Sequence, residues 1–358
     1  MKFIKGMDIS MMNEMENLGA KYYDKGVEKD LLTILKDYDV NTVRLRLWDN
    51  PYDDMGNPYG GGTNDLEVTK KLSRRVIGAG LDFLLDIHYS DFWTDPGKQL
   101  KPKAWRNLCS DELNKKVYTY TKHVLEELDK AGVKPSMVQV GNELSNGILW
   151  PDGKLPDYQM MCSLIQNGIR AVREFDSSIR IILHLDFGGN NNLYRTWFDK
   201  AKEYGLDFDI IGLSYYPYWH GTLDDLRNNM NDISKRYDKD VMVVETAIGF
   251  TTDTCKECSM IFSDELSAKV KYEASEDGQA EYLSDLMNLI KNIDNDRGLG
   301  FFYWEPAWIP VKGSTWATKS GRDYIGDNSE GGNTWANQSL FDFKGNALKA
   351  LNTIKEFK

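Results

Sequence analysis

The sequence is poor in residues that staple, bridge or anchor a chain. Four cysteines in 358 residues, Cys109, Cys162, Cys255 and Cys258, are too sparse for a disulfide scaffold. Cys255 and Cys258 form a lone CxxC with no second CxxC or histidine pair to complete a zinc site, so a loop dithiol or a disulfide is expected there. Histidines also number four: His88, His123, His184 and His220. No apolar run approaches the roughly 18 residues of a membrane span, so no membrane partner is expected. Basic charge does not prevail: 44 Lys and Arg stand against 55 Asp and Glu, for a net charge of −11. That balance excludes a nucleic-acid partner, whose binding rests on neutralising phosphates, and argues against a strongly anionic one. Residues 1–10 lack the basic start, apolar stretch and small-residue cleavage site of a leader. The chain therefore reads as cytoplasmic, or as a secreted or cell-surface protein whose leader has been removed. No GxGxxG follows the first β-like run, which weakens a dinucleotide-binding reading. No linker, low-complexity tract or repeat divides the chain, so residues 1–358 are read as one domain acting as a monomer.

What is present is aromatic and periodic. The chain holds 10 Trp, 19 Tyr and 14 Phe. Trp beside polar turn residues suits sugar binding, because a ring face packs on the apolar face of a pyranose; about half of the Trp are expected to be structural. Eight short β-like runs recur, at 3–10, 42–48, 82–89, 137–143, 180–186, 210–217, 241–247 and 298–306. Most open on Val, Ile, Leu or Phe and close on polar or aromatic residues, as buried parallel strands with functional C-terminal ends should. Between them, Leu113, Val117, Tyr120, Val124, Leu125 and Leu128 repeat at steps of three and four, and Met161, Leu164, Ile165, Ile169 and Val172 do likewise. Residues 66–79, 193–204, 222–237, 276–293 and 346–357 read as further helices, and Gly80, Gly132 and Gly205 follow helix ends. Eightfold alternation predicts a single (β/α)8 TIM barrel. Two long connections, 248–275 and 307–340, fall on the side where such barrels place their sites.

The polar ends of the eight runs would then converge on one bowl. They supply Asp8, Arg46, Trp48, His88, Asp91, Asn142, Glu143, His184, Asp186, Tyr215, Tyr216, Glu245, Trp304 and Glu305. Glu143 closes the fourth run and Glu245 the seventh, three places apart in a ring of eight. Two carboxyls that close can cleave a glycosidic bond with retention, one protonating the leaving oxygen and later activating water, the other attacking the anomeric carbon. Arg46 is placed to hold the nucleophile ionised, Asn142 to donate to a sugar 2-hydroxyl, Tyr216 to donate to Glu245, and Trp304 to floor the sugar at the cleavage point. A lone glutamate at a strand end is often only a salt-bridge partner; the joint pattern with Asn142 and Trp304 is what points to catalysis. Two other readings compete. A sugar-binding protein with a dead site is opposed by the presence of both glutamates. A metal-dependent hydrolase would have only His88, His184, Asp86 and Asp186 as ligands.

At these residues the sequence resembles glycoside hydrolase family 53, the endo-β-1,4-galactanases. The similarity runs through nearly the whole chain: GMDIS at 6–10, TVRLRLWxNP at 42–51, DIHYSDFWTDPGKQxKPKAW at 86–105, QVGNExxNGxLWP at 139–151, SYYPYWHG at 214–221, VVETA at 243–247, WEPAWIP at 304–310 and NQSLFDFKGNAL at 337–348. The resemblance implies an endo-acting, retaining hydrolase of β-1,4-galactan, the neutral side chain of pectin, with Glu143 as acid/base and Glu245 as nucleophile. It also implies that His88, Asp91, Trp93, Asp186 and Trp304 line the sugar subsites, and that His220 shapes a loop. The same carboxylates would serve another β-1,4-glycan, such as mannan, xylan or cellulose; only the family motifs favour galactan. The chemistry needs no cofactor. Some bacterial members are understood to carry a structural calcium between the loops after the seventh and eighth strands. Residues 248–275 offer no DxDxxxN-like run for it, only the scattered acids Asp253, Glu257 and Asp264.

Overall fold

The computed structural model describes residues 2–256 and 258–358. Eight strands close into one parallel barrel: β1 (Ile4–Asp8), β2 (Thr42–Leu47), β3 (Asp82–Ile87), β4 (Met137–Val140), β5 (Arg180–Leu185), β6 (Ile210–Ser214), β7 (Asp240–Thr246) and β8 (Gly298–Trp304). Each strand pairs with its neighbours in sequence, and β8 pairs back onto β1. The expected (β/α)8 barrel is therefore the fold. These segments become strands because both of their faces are covered. Every residue of β2 is buried, and a parallel strand packed on two sides needs such a run. Val43, Leu45 and Leu47 face the outer layer of helices, whereas Arg44 and Arg46 face the bowl.

The helical layer follows the periodicity of the sequence. Helices Leu66–Gly78, Ser110–Lys130, Tyr158–Phe175, Asn191–Glu203, Leu223–Tyr237, Glu276–Lys291 and Lys349–Glu356 cover the barrel. Asp65, Asp157, Asn190, Thr222 and Ser275 cap five of them by accepting a backbone N–H, each cap worth about 1 kcal/mol. The first crossover, for which the sequence offered no readable pattern, is irregular. It contains helices Met12–Asn17 and Leu31–Asp37 and a hairpin of Tyr22–Asp24 with Val27–Lys29. Elements of seven residues or fewer offer too little periodicity to read. A further short helix, Lys319–Ile325, lies within the 307–340 connection.

Inside the barrel, one face changes character along its length. At the N-terminal end Ile4, Leu84, Met137, Ile182, Ile210 and Phe302 belong to a closed apolar cluster. Gly6 makes room for it, since a Cβ there would lie 2.3 Å from Phe302 Cδ1. Each fully buried side chain of this kind contributes roughly 1.5–3 kcal/mol. Two or four residues further along the same strands stand Asp8, Asp86, Gln139, His184 and Ser214, all essentially buried. The apolar layer is thus a foundation, and the polar layer above it is the floor of the bowl.

Two local irregularities aim the key carboxylates. β4 ends at Val140, three residues before the run expected from sequence, because Gly141 and Glu143 take positive φ of 87° and 46° and turn the chain out of the sheet. A glutamate held there costs on the order of 1–3 kcal/mol, a strain typical of functional sites. On β7 the pairing with β6 skips a residue: Leu213 opposes Val243, but Ser214 opposes Glu245. Strict alternation from Met242 and Val244, both in the apolar cluster, would turn Glu245 outward. The bulge re-aims it into the bowl, as bulges beside active sites do.

Candidate active site

The floor of the bowl is organised by Arg44. Its guanidinium is fully buried and meets three carboxylates: Asp8 at 2.8 Å, Asp86 at 2.7 Å and Glu245 at 2.7 Å. Burial works against its charge, but Asp86, Glu245 and Asp8 outweigh that and keep it a cation. Glu245 also accepts a hydrogen bond from the Tyr216 hydroxyl at 3.2 Å. Its two oxygens are therefore held in a fixed orientation by one cation and one neutral donor.

Glu143 has different company. The Ser214 hydroxyl donates to its Oε1 at 2.7 Å. Behind Ser214 stands His184, whose Nε2 lies 2.7 Å from the Ser214 oxygen. The Glu143 backbone N–H points at His184 Nδ1 at 3.4 Å, so Nδ1 accepts and Nε2 donates. Burial pushes His184 far below its usual pKa, with Arg44 adding to the effect, and the ring is neutral. No cation pairs with Glu143 among the described residues.

That contrast orders the two proton affinities. Burial raises Glu143 well above the usual carboxylate range, and the charges of Glu245 and Asp186 push it further. Burial raises Glu245 as well, but Arg44 opposes the rise. A proton shared by the pair therefore resides on Glu143, and Glu245 is left ionised. Asp186, whose carboxylate accepts from Ser145, is pushed up to about 6, mainly by burial.

A cleft of about 850 Å³ opens above these groups. Trp93, Trp219, Trp304, Trp308, Trp316 and Trp335 line it, so six of the ten Trp in the chain face the cleft, close to the share left for non-structural roles. Trp304 packs edge-on against Trp335 at 4.5 Å and lies 6.0 Å from Trp93. Such a wall offers flat apolar faces with polar edges. Of the residues expected from sequence, Arg46, His88, Trp93, Asn142, Glu143, Asp186, Tyr216, Glu245 and Trp304 all line this cleft.

Two expectations need correction. The cation beside Glu245 is Arg44, not Arg46. Arg46 sits two residues further up β2, where it pairs with Glu305 at 2.5 Å and donates to the Gly61 carbonyl at 2.7 Å. Its guanidinium also lies 4.3 Å from the Trp93 ring centre, so it braces the wall of the cleft. Asp91 does not face the cleft. It is fully buried and accepts from the backbone N–H groups of Asn50 at 3.0 Å and Lys103 at 2.7 Å, which ties the loop after β3 to its neighbour. Arg44 was open to discovery from alternation, since it shares a face with Arg46. Ser214 had no local signal, and His184, legible as a strand-end residue, showed no sign of its link through Ser214 to Glu143, because that link depends on contacts across strands.

The two histidines weighed as metal ligands are committed to hydrogen bonds. His88 Nε2 meets Asp86 at 3.0 Å, and Trp48 Nε1 donates to its Nδ1 at 3.3 Å. His184 is engaged at both nitrogens, as described. The four residues weighed as metal ligands thus already have other partners. Among the described residues no group of three or more His, Cys, Asp or Glu could hold a metal ion; Glu257 lies outside the described residues. The loops after β7 and β8 are joined by backbone hydrogen bonds from Ser259 to Asn333 and from Ile261 to Thr334, both at 3.0 Å. Cys255 and Cys258 form a disulfide, one of the two states expected for that pair.

Comparison with known proteins agrees with this geometry. Residues 4–354 match the model of glycosyl hydrolase family 53. The chain is 38% identical to an endo-beta-1,4-galactanase of Bacillus subtilis over 372 residues, covering 99% of this chain and 85% of that protein. It superposes on the family 53 catalytic domain of Ignisphaera aggregans with a TM-score of 0.93 at 43% identity, covering 98% of this chain and 95% of that one. A structure from a study of two fungal beta-1,4-galactanases gives a TM-score of 0.80 at 29% identity, with 98% of each chain covered.

Proposed function

The chain belongs to glycosyl hydrolase family 53, and from that premise we propose that it cleaves internal β-1,4-galactosidic bonds with retention, Glu143 serving as acid/base and Glu245 as nucleophile. The enzyme is a glycoside hydrolase, and its substrate is the neutral galactan side chain of pectin. The observation that carries the assignment of roles is the unequal company of the two carboxylates. Arg44 holds Glu245 at 2.7 Å, whereas among the described residues the Glu143 carboxyl is met only by the Ser214 hydroxyl.

In the first step the Glu245 carboxylate attacks the anomeric carbon while the bond to the leaving oxygen breaks. Glu143 gives that oxygen its proton, so the departing chain leaves as an alcohol. Glu245 is now an ester and has lost its charge. The repulsion that held the proton on Glu143 weakens, its affinity for a proton falls, and it is left as a carboxylate. In the second step Glu143 takes a proton from water, the water oxygen attacks the anomeric carbon, and Glu245 departs as a carboxylate. The two carboxyls suffice for this cycle, and no cofactor enters it. Asn142, whose Oδ1 accepts from Arg44 and whose amide gives one hydrogen to the Thr94 carbonyl, would give its second to the sugar 2-hydroxyl, and Trp304 would lie under the ring at the cleavage point.

We read residues 1–358 as one catalytic domain working as a monomer; the closed barrel supplies both carboxylates and the Trp-lined cleft. The test is product analysis after incubation with linear β-1,4-galactan, alongside mannan, xylan and a soluble cellulose, with Glu245→Gln as control. Galacto-oligosaccharides from galactan alone, absent in the control, are expected. Cleavage of another glycan and not galactan would overturn the substrate while keeping the carboxylates.

A further inference from the structure

A second concavity, of about 870 Å³, lies on the flank of the barrel. Its walls are the loop 215–222 after β6, the segment 269–272, and the facing sides of helices Leu223–Tyr237 and Glu276–Lys291. It is separate from the catalytic cleft except at one residue. Trp219 lines both and remains 44% exposed. Tyr218 and Tyr216 brace its ring by edge contacts at 4.7 and 5.6 Å, and Tyr216 in turn donates to Glu245. A continuous aromatic path thus runs from the nucleophile to the flank.

We propose that this flank groove holds the far end of the same neutral polysaccharide whose scissile bond lies in the cleft, with Trp219 as the platform between them. The inference rests on the galactanase reading above. Its charge supports a neutral occupant. Arg227 pairs with Asp224, Lys271 with Asp285, and Lys269 with Glu265, so among the described residues the groove has no spare cation for an anion. Its surface suits a sugar chain: buried Tyr218 and Tyr272 supply apolar floor, and a few polar groups remain to fix orientation. The amides of Asn288 and Asn292 donate to the helix carbonyls of Ser284 and Asn288. Their side-chain oxygens have no partner among the described residues and stand exposed at the rim. They can accept from sugar hydroxyls.

The test uses the full chain and linear β-1,4-galactan. Retardation is measured in gels containing the polysaccharide, on the Glu245→Gln background, with and without Asn288→Ala plus Asn292→Ala. A second variant, Asn288→Arg, obstructs the groove by bulk. Both exposed changes leave the cleft untouched. Each is expected to weaken retention by about 3–10-fold, the worth of one or two hydrogen bonds. With Glu245 restored, each should raise KM for galactan while leaving turnover of galactotetraose unchanged. Retention equal to the parent in both variants would overturn the groove. Retention does not require turnover, so a protein that is held through the groove yet cleaves no galactan would keep the groove and overturn the activity.

Discussion

The two halves of the barrel interior are built from the same strands and face the same way, yet they do opposite work. The lower half is apolar, with Ile4, Leu84, Met137 and Ile182 in one cluster. The upper half buries Asp8, Arg44, Asp86, Gln139 and His184. Apolar burial stabilises roughly in proportion to area. Buried charges return little net stability and are costly when a partner is lost. The comparison teaches that the lower half stabilises the fold while the upper half is retained for chemistry.

The comparison is broken most severely at Arg44. Arg44→Met leaves Asp8, Asp86 and Glu245 without their shared cation. Removing one partner from a buried ion pair typically costs about 3–5 kcal/mol, so denaturant unfolding should show a loss of that order at pH 7. Whatever folds should be nearly inactive, because Glu245 no longer stays ionised. A variant as stable and active as the parent would show that the network is not what holds the nucleophile. Glu143→Ala comes next. It should retain the fold and lose about 10²–10⁴-fold in kcat on galactan, the usual size of general acid–base catalysis. Aryl galactosides with good leaving groups should be hurt less in their first step. An unchanged dependence on leaving group would remove Glu143 from the acid role.

Much of this was legible in the sequence, and the failures have specific physical causes. The eight strands were readable because runs such as 241–247 open on a continuous apolar body, Val241 to Val244, as a strand covered on both faces does. Glu143 and Glu245 were readable because strand ends in a barrel converge. The cation was misassigned because strand alternation puts Arg44 and Arg46 on the same face, and only depth along the barrel axis separates them. That depth is set by the register of β2 against β1 and β3, which no local pattern encodes. Asp91 was misread because a carboxylate in a loop after a strand can turn toward the bowl or toward backbone N–H groups, and Asn50 and Lys103 lie far from it in the chain. The bulge at Val244 and Glu245 left no trace in the composition of β7.

Asp186 sharpens the comparison at intermediate cost. Its folded pKa is raised to about 6 by burial, against roughly 3.9 for an unperturbed Asp. The sign follows: the native state holds the neutral acid well and the carboxylate poorly, so stability from this group is full below about pH 4 and is lost as pH rises through 6. Asp186→Asn removes that penalty. It should be more stable than the parent at pH 8 by on the order of 2–3 kcal/mol, with the advantage shrinking toward pH 4, while activity on galactan falls. Denaturant melts at the two pH values decide it; an advantage that does not depend on pH would refute the titration. Ser214→Ala is a gentler change at the same level. The hydroxyl favours the ionised form of Glu143, so its loss should move the alkaline limb of the activity profile to higher pH. A limb that stays put or moves down would mean that Ser214 does not act on the Glu143 proton.

The smallest effect is expected in the lower half, and it is the control that gives the others meaning. Ile182 and His184 lie on the same face of β5, two residues apart, one in the apolar cluster and one in the Ser214–Glu143 chain. Ile182→Val removes one methyl from a closed cluster and should cost about 0.5–1.5 kcal/mol. Because the polar layer rests on this cluster without sharing its hydrogen bonds, kcat and both limbs of the pH profile should be unchanged at temperatures well below unfolding. If the pH profile shifts instead, the apolar layer sets the position of Glu143 and Glu245 directly. The two halves would then be one mechanical unit, and the stability lost at Arg44 could not be separated from the activity lost there.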